Sequence, residues 1–192
     1  MASERLLGAL EFLREAERLK STLRSGFTST GRPESTAEHT WRLCLMALVF
    51  SDELGDVDPL RLIKLCIVHD LGEALSGDIP AVLQTDGFDK SARERADLEE
   101  LTRALHPAKR AEILALWEEY EAASSPEAVL AKGLDKLETI LQHNQGRNPA
   151  DFDYAFNLDY GRKQTSAHPV LAEIRVLLDE ETRARADASK AG

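Results

Sequence analysis

Two histidines and two aspartates stand where a helical period calls for apolar side chains. His39 lies one turn before Leu43, on a face that continues through Met46 and Phe50. His69 follows Leu62 and Cys66 on one stripe, and Asp70 follows Ile63 and Ile67 on the adjoining one. Asp135 follows Ala128 and Ala131, small residues that leave room for another group to approach. A buried carboxylate without a partner is costly, so such groups pair or bind a metal. Two imidazoles and two carboxylates leave positions open in an octahedral shell, and nitrogen and oxygen donors without thiolate suit Mn, Co, Fe, Ni or Zn. Each residue also has a plainer reading. A histidine on an apolar face can be a hydrogen-bonded core residue, and Asp135 can pair with Lys132 or Lys136 or face solvent.

Glu73 lies four residues after His69 and three after Asp70, so it shares their side of a helix. Asp78 follows in the turn SGDIP. Metal binding alone requires neither. Hydrolysis requires one group to orient or deprotonate a water and one to protonate a leaving oxygen. The assignment is Glu73 to the water and Asp78 to the leaving oxygen, and the two roles can be exchanged. The competing accounts are a helix-surface charge for Glu73 and a turn-forming aspartate for Asp78.

The elements that must position these groups are helical. Leu6, Leu10 and Leu13 form one stripe, and Leu23 to Pro33 reads as a loop, with two glycines and a proline. Ser35 and Glu38 form a possible capping box ahead of a helix ending near Glu53. Asp58-Pro59 opens a helix expected to run to about Leu75, and Gly77 and Pro80 mark a turn. Residues 89–105 and 107–121 read as two solvent-facing helices, and Ser125-Pro126 opens another through Leu141. Residues 144–169 form the largest irregular stretch, with Phe152, Tyr154, Phe156 and Tyr160 reading as packing under a long loop. His143 and His168 read as loop or surface residues, and Trp41 as core. The last helix spans about Val170 to Arg183, with a loosely ordered polar tail from about residue 184. The expected fold is an all-α, single-domain bundle of roughly six to eight helices over residues 1–192.

The 192 residues carry a formal net charge of −10, which argues against binding to polymeric nucleic acid. The longest apolar run, Leu43 to Phe50, is far short of the roughly 20 residues a membrane span needs. The N-terminal segment MASERLLGALEFLREAERLK is charged throughout, without the apolar stretch of a signal peptide. Cys44 and Cys66 both lie in apolar segments and read as reduced thiols. The expectation is a soluble cytoplasmic protein.

The segments RPESTAEHTWRL, IVHDLGEALSGDIP and GLDKLETILQ together resemble the HD-domain metal-dependent phosphohydrolases. The extended patterns E-S-x-A-E-H and H-D-x-x-E-x-x-x-G-D-I-P look like the branch containing the YfbR-type bacterial 5′-deoxynucleotidases, and the likeness runs from about Leu19 to Gln142. The resemblance implies an HD-domain helical bundle holding one divalent metal ion (Mn, Co, Fe, Ni, Zn or Mg) through His39, His69, Asp70 and Asp135. It places Glu73 and Asp78 in catalysis and makes Arg24, in LKSTLRSGF, the phosphate contact. Arg32 and Lys136 are second candidates for that contact. Many relatives carry a Trp just after the arginine, as part of a wall that discriminates against ribose, where this chain has Phe27. Glu34 is expected beside the site or paired with Arg32, and Glu38 either beside the site or in the capping box. The implied assembly is a homodimer.

The implied activity is removal of the 5′-phosphate of deoxynucleoside monophosphates by metal-activated water. An HD phosphohydrolase acting on triphosphates, or on another small phosphate ester, is the alternative enzyme. A metal- or nucleotide-binding regulatory protein without turnover is the alternative of another class, and a helical protein with a satisfied polar core is a third.

Overall fold

A computed structural model describes residues 2–79 and 89–191. In chain order the elements are α1 (Ala2–Ala16), β1 (Leu23–Phe27), β2 (Pro33–Ser35), α2 (Thr36–Val49), α3 (Pro59–Val68), α4 (Glu73–Ser76), α5 (Lys90–Leu101), α6 (Pro107–Ala122), α7 (Pro126–Gln145), α8 (Arg162–Thr165) and α9 (Pro169–Ala191). Short 3-10 turns at Glu17–Lys20, Ser51–Glu53 and Tyr154–Leu158 join them.

α7 is the axis of the bundle. It packs against α2, α3, α6, α8, α9 and β1. A helix so surrounded is buried over most of its circumference, leaving the stripe of Val129, Lys132 and Lys136 half-buried. Leu130, Leu134, Leu137 and Ile140 are accordingly buried, and so are Asp135, Glu138, Thr139, Gln142 and His143. Gly133 permits the closest approach: a Cβ there would lie 2.3 Å from Leu171 of α9.

Local sequence explains the helix starts. Ser35 and Glu38 close the capping box of α2, and Asp58 accepts from the amides of Leu60 and Arg61 with Pro59 at the first helical position of α3. The segment expected as a loop at 23–33 instead folds into the β1–β2 antiparallel hairpin, with Leu23 opposite Ser35 and Phe27 opposite Pro33. Its register is irregular and its strands lack apolar alternation, so the period-2 signal is missing. The helix expected from Asp58 to Leu75 breaks after Val68. Leu71, Glu73 and Ala74 donate three residues back, to Val68, Asp70 and Leu71, instead of four. In such tight turns residues i and i+3 eclipse, which stacks Glu73 over Asp70. Gly72 lets α5 cross this turn closely, since a Cβ there would lie 2.6 Å from the Glu94 carbonyl oxygen.

Three further expectations are corrected. α9 stays helical through the residues expected as a loose tail, to Ala191. Trp41 is 66 % exposed on the outer face of α2 instead of packed in the core. α5 and α6 are not merely solvent-facing: Leu98, Leu101, Leu116, Trp117 and Tyr120 are buried. Both cysteines are free, with Cys66 buried and Cys44 half-buried. Among the described residues no helix is long and apolar enough to cross a membrane.

Candidate metal centre and active site

His69 closes α3 in helical conformation, its amide still bonded to the Leu65 carbonyl oxygen, and its side chain is buried on the stripe of Leu62 and Cys66. Its Nδ1 sits 2.7 Å from the Cys66 carbonyl oxygen. A carbonyl only accepts, so Nδ1 carries the proton and Nε2 is left with a lone pair. His39, fully buried on α2, is fixed from behind in the same way. Its Nδ1 meets a carboxylate oxygen of Glu138, and Arg42 Nε donates to the other oxygen of Glu138 at 2.6 Å. Burial opposes ionisation of Glu138, but His39 and Arg42 hold its carboxyl below the ordinary range.

Both Nε2 atoms therefore point at carboxylates. His39 Nε2 lies 3.2 Å from Asp135 Oδ1 and 3.9 Å from Asp70 Oδ2, and His69 Nε2 lies 3.0 Å from Asp70 Oδ2. Neither nitrogen makes a well-aligned hydrogen bond, although both are buried. Buried nitrogens aimed at anionic oxygens without a bond are what a cation site requires. The donor atoms of His39, His69 and Asp70 lie within 4.8 Å of one another, with Asp135 beside His39. The other Asp135 oxygen is taken by the Tyr120 hydroxyl at 2.9 Å and Lys136 Nζ at 2.8 Å, so one oxygen stays directed at the histidines. The residues present thus fit a divalent ion.

Considering only the protein's own groups, burial and Arg24 oppose charging His39, yet Glu138 and Asp135 outweigh them and push it up to about 10. Burial also opposes the charge on Asp70, but His69 and Arg24 hold its carboxyl well below the usual range. A divalent ion at this site must displace the His39 proton, so its binding strengthens as pH rises.

A cavity of about 630 Å³ opens over this cluster. Asp70, Glu73, Asp78 and Asp135 give it an anionic side, and Arg24, Lys90 and Lys136 its cations. Phe27, Phe152, Phe156 and Tyr160 add aromatic lining. Arg24, from β1, donates to Asp70 Oδ2 at 3.3 Å and Thr139 Oγ1 at 3.2 Å, with Nε 3.6 Å from Glu34. Glu73 accepts from the Thr36 hydroxyl at 3.1 Å and lies 3.6 Å from Lys90 Nζ. Burial, then Asp70 and Asp78, pushes the Glu73 carboxyl up to about 9.

Of the ten residues expected at the site, nine meet around this cluster and cavity and one does not. Arg32 binds the Glu38 carboxylate and the Pro33 carbonyl on the exposed hairpin, so its charge is spent away from the cavity. Glu34 pairs with Arg24 and not with Arg32, and Glu38 serves the capping box. His143, expected at the surface, is buried, lines the cavity and bonds Asn157 Oδ1 at 3.0 Å. Glu138, Thr139, Tyr120 and Lys90 are the neighbours that sequence reasoning missed. A signal for some of them existed: Asp135, Thr139 and His143 recur every four residues on α7, and Glu138 and Gln142 form the adjoining stripe. Nothing comparable marks Lys90.

The model of the HD domain family matches residues 16–175. The chain belongs to the HD-domain family. It is 39 % identical over 138 residues to the 5′-deoxynucleotidase HDDC2 of Danio rerio, covering 71 % of this chain and 68 % of that protein. Among solved structures, a predicted metal-dependent phosphohydrolase from Magnetospirillum magnetotacticum superposes with a TM-score of 0.78 at 29 % identity, over 94 % of this chain and 96 % of that one. A cyanophage S-2L HD phosphohydrolase, bound to dA and one catalytic Zn2+ ion, shares the fold at TM-score 0.57 and 21 % identity, over 91 % of this chain and 96 % of that one. The HD-domain bundle expected from the resemblance is thus the fold of this chain, and the expected superfamily is its family.

Proposed function

We propose that the protein is a metal-dependent phosphohydrolase that removes the 5′-phosphate of deoxynucleoside monophosphates. The observation that carries this reading is the pair of Nε2 atoms, each with its tautomer fixed from behind, facing Asp70 and Asp135 at the floor of an open cavity. The 5′-deoxynucleotidase activity named for the Danio rerio relative supports the substrate class.

His39, His69, Asp70 and Asp135 would hold the divalent ion. When bound, such an ion neutralises phosphoryl charge and lowers the pKa of a water. Arg24 holds Asp70 in place and brings fixed positive charge to an otherwise acidic wall. With no ion bound, burial beside Asp70 and Asp78 pushes the Glu73 carboxyl up to about 9, and we assign it to protonate the leaving 5′-oxygen. Asp78 then serves the attacking water, the reverse of the assignment first made from sequence. A water oxygen bonds to phosphorus as its proton passes to Asp78, the P–O5′ bond breaks, and the proton from Glu73 passes to the leaving oxygen. The products are orthophosphate and a deoxynucleoside. Phe27 and the aromatic wall face the sugar and base.

Trp41, Leu45 and Leu48, 66 %, 40 % and 64 % exposed, form one outer stripe of α2 that would bury against a second copy in a homodimer. The two free cysteines suit a reducing, cytoplasmic setting.

The deciding experiment offers deoxynucleoside mono-, di- and triphosphates to the protein with Mn2+, Co2+ or Mg2+. Orthophosphate release from the monophosphates is expected. Release of pyrophosphate or triphosphate in its place overturns the reading in favour of a triphosphohydrolase. Light scattering tests the dimer.

A further inference from the structure

We propose that Lys90, at the start of α5, binds the phosphoryl group of the substrate directly, an inference that rests on the phosphohydrolase reading above. Three cations line the cavity: Arg24, Lys136 and Lys90. Two of them are already committed. Arg24 is 12 % exposed, and its three nitrogens face Glu34, Asp70 and Thr139. Lys136 Nζ sits 2.8 Å from Asp135 and 5.2 Å above the Tyr160 ring. Lys90 is the loosest of the three. Its side chain is 32 % exposed, with Nζ 3.0 Å from Glu94 and 3.6 Å from Glu73. An ammonium has three donors, so a position remains for an anionic oxygen.

The fold holds Lys90 at the cavity. Leu98 and Leu101 anchor α5 in the core. The close crossing at Gly72 seats Glu94, one turn beyond Lys90, on the turn that carries His69 and Asp70. Asp89 caps the first turn by accepting from the Ala92 amide at 2.9 Å. Lys90 therefore reaches Glu73 from α5, which packs on α4. Its charge faces the place where a phosphoryl group would lie between Glu73 and the histidine cluster. A charged hydrogen bond of this kind is strong enough to be read as about a tenfold or larger change in affinity.

The Glu94 pair provides the control. If Lys90 serves only to tie down α5, removing Glu94 should do the same damage as removing Lys90. If Lys90 binds phosphate, releasing it from Glu94 should leave binding intact or tighten it. The experiment is calorimetric titration of inorganic phosphate into Mn2+-loaded wild type, Lys90→Met, Lys90→Arg and Glu94→Gln, with metal content measured on each. Steady-state kinetics on a deoxynucleoside monophosphate run alongside. Lys90→Met is expected to weaken phosphate binding and raise KM by about tenfold or more at unchanged metal content. Lys90→Arg should recover most of both, and Glu94→Gln should match or exceed wild type. Phosphate binding by Lys90→Met equal to wild type overturns the proposal, and so does a loss in Glu94→Gln equal to that in Lys90→Met. Should Lys90→Met not fold, Lys90→Gln reads the same loss of charge. Because phosphate binding needs no turnover, a wild type that binds phosphate through Lys90 yet hydrolyses nothing sinks the hydrolase reading and leaves this one standing.

Discussion

Two buried polar networks flank the central helices, and they differ in kind. On α9, Arg175 is 5 % exposed and saturated: it donates to Asp179 at 2.6 Å and to the carbonyls of Tyr160, Asn157 and Leu158 at 2.7, 2.7 and 2.8 Å. That network closes the aromatic segment down onto the bundle, and its guanidinium has nothing left to offer a ligand. Around α7, by contrast, His39 and His69 keep unbonded nitrogens next to a cavity. Both networks bear the cost of burying charge. Only the second leaves imidazole nitrogens without an aligned hydrogen bond, although charged groups around them offset their burial. The Arg175 guanidinium, with every donor used, holds the fold, whereas the His39 and His69 nitrogens, aimed at carboxylates that line the cavity, are left for an ion.

The contrast breaks most easily at its two centres. His39→Ala removes one of the two free nitrogens. It should cut bound metal to background and activity by about a thousandfold or more, with the helical circular dichroism retained. Wild-type metal content in that variant would place the ion elsewhere and dissolve the distinction. Arg175→Leu should do the opposite. It strands Asp179 and several carbonyls in the interior, costing about 3–5 kcal/mol in denaturant unfolding, while the folded fraction keeps its metal. Loss of metal without loss of stability there would show that the α9 network reaches the site.

A smaller change sharpens the same point. Glu138 fixes the His39 tautomer but touches no cavity atom that the substrate could reach. Glu138→Gln keeps the shape and removes the charge. It should weaken Mn2+ binding by about 10- to 100-fold, read by titration with a fluorescent chelator, and added metal should restore most of the activity. Activity that excess metal cannot restore would mean that Glu138 acts on the reaction itself.

How far the sequence discloses all this follows the same division. The helices and the four converging side chains were legible because polar residues on apolar stripes break a strong period, and His39, His69, Asp70 and Asp135 each do so. The second layer was harder. Glu138 and Tyr120 gain their meaning from residues 99 and 15 positions away, and no local period carries that information. His143 looked like a surface residue because the helix carrying it was expected to end sooner, whereas α7 runs to Gln145. Arg32 looked available because a sequence cannot show that Glu38 already holds it. Lys90 looked like one more surface charge on a Glu- and Arg-rich helix. Its place follows from the break after Val68 and the crossing at Gly72, both tertiary facts.

The last effect concerns Glu73, where the needs of catalysis and stability oppose each other. Burial beside Asp70 and Asp78 raises its carboxyl from an ordinary 4.5 to about 9. Between those values the folded chain holds a proton that the unfolded chain has lost. Stability therefore falls as pH rises through that window, and below about 4.5 the group contributes no difference. One such proton gives a slope of at most about 1.4 kcal/mol per pH unit. Glu73→Gln cannot ionise, so in the presence of a chelator its stability should gain on wild type steadily from pH 5 to pH 9, roughly at or below that slope. The same variant should hydrolyse substrate about a hundredfold or more slowly, because it has no proton to pass to the leaving oxygen. Urea melts of the two proteins at several pH values measure the difference in slope. Parallel curves would mean that Glu73 is ionised throughout, which removes it as the acid and returns it to the water.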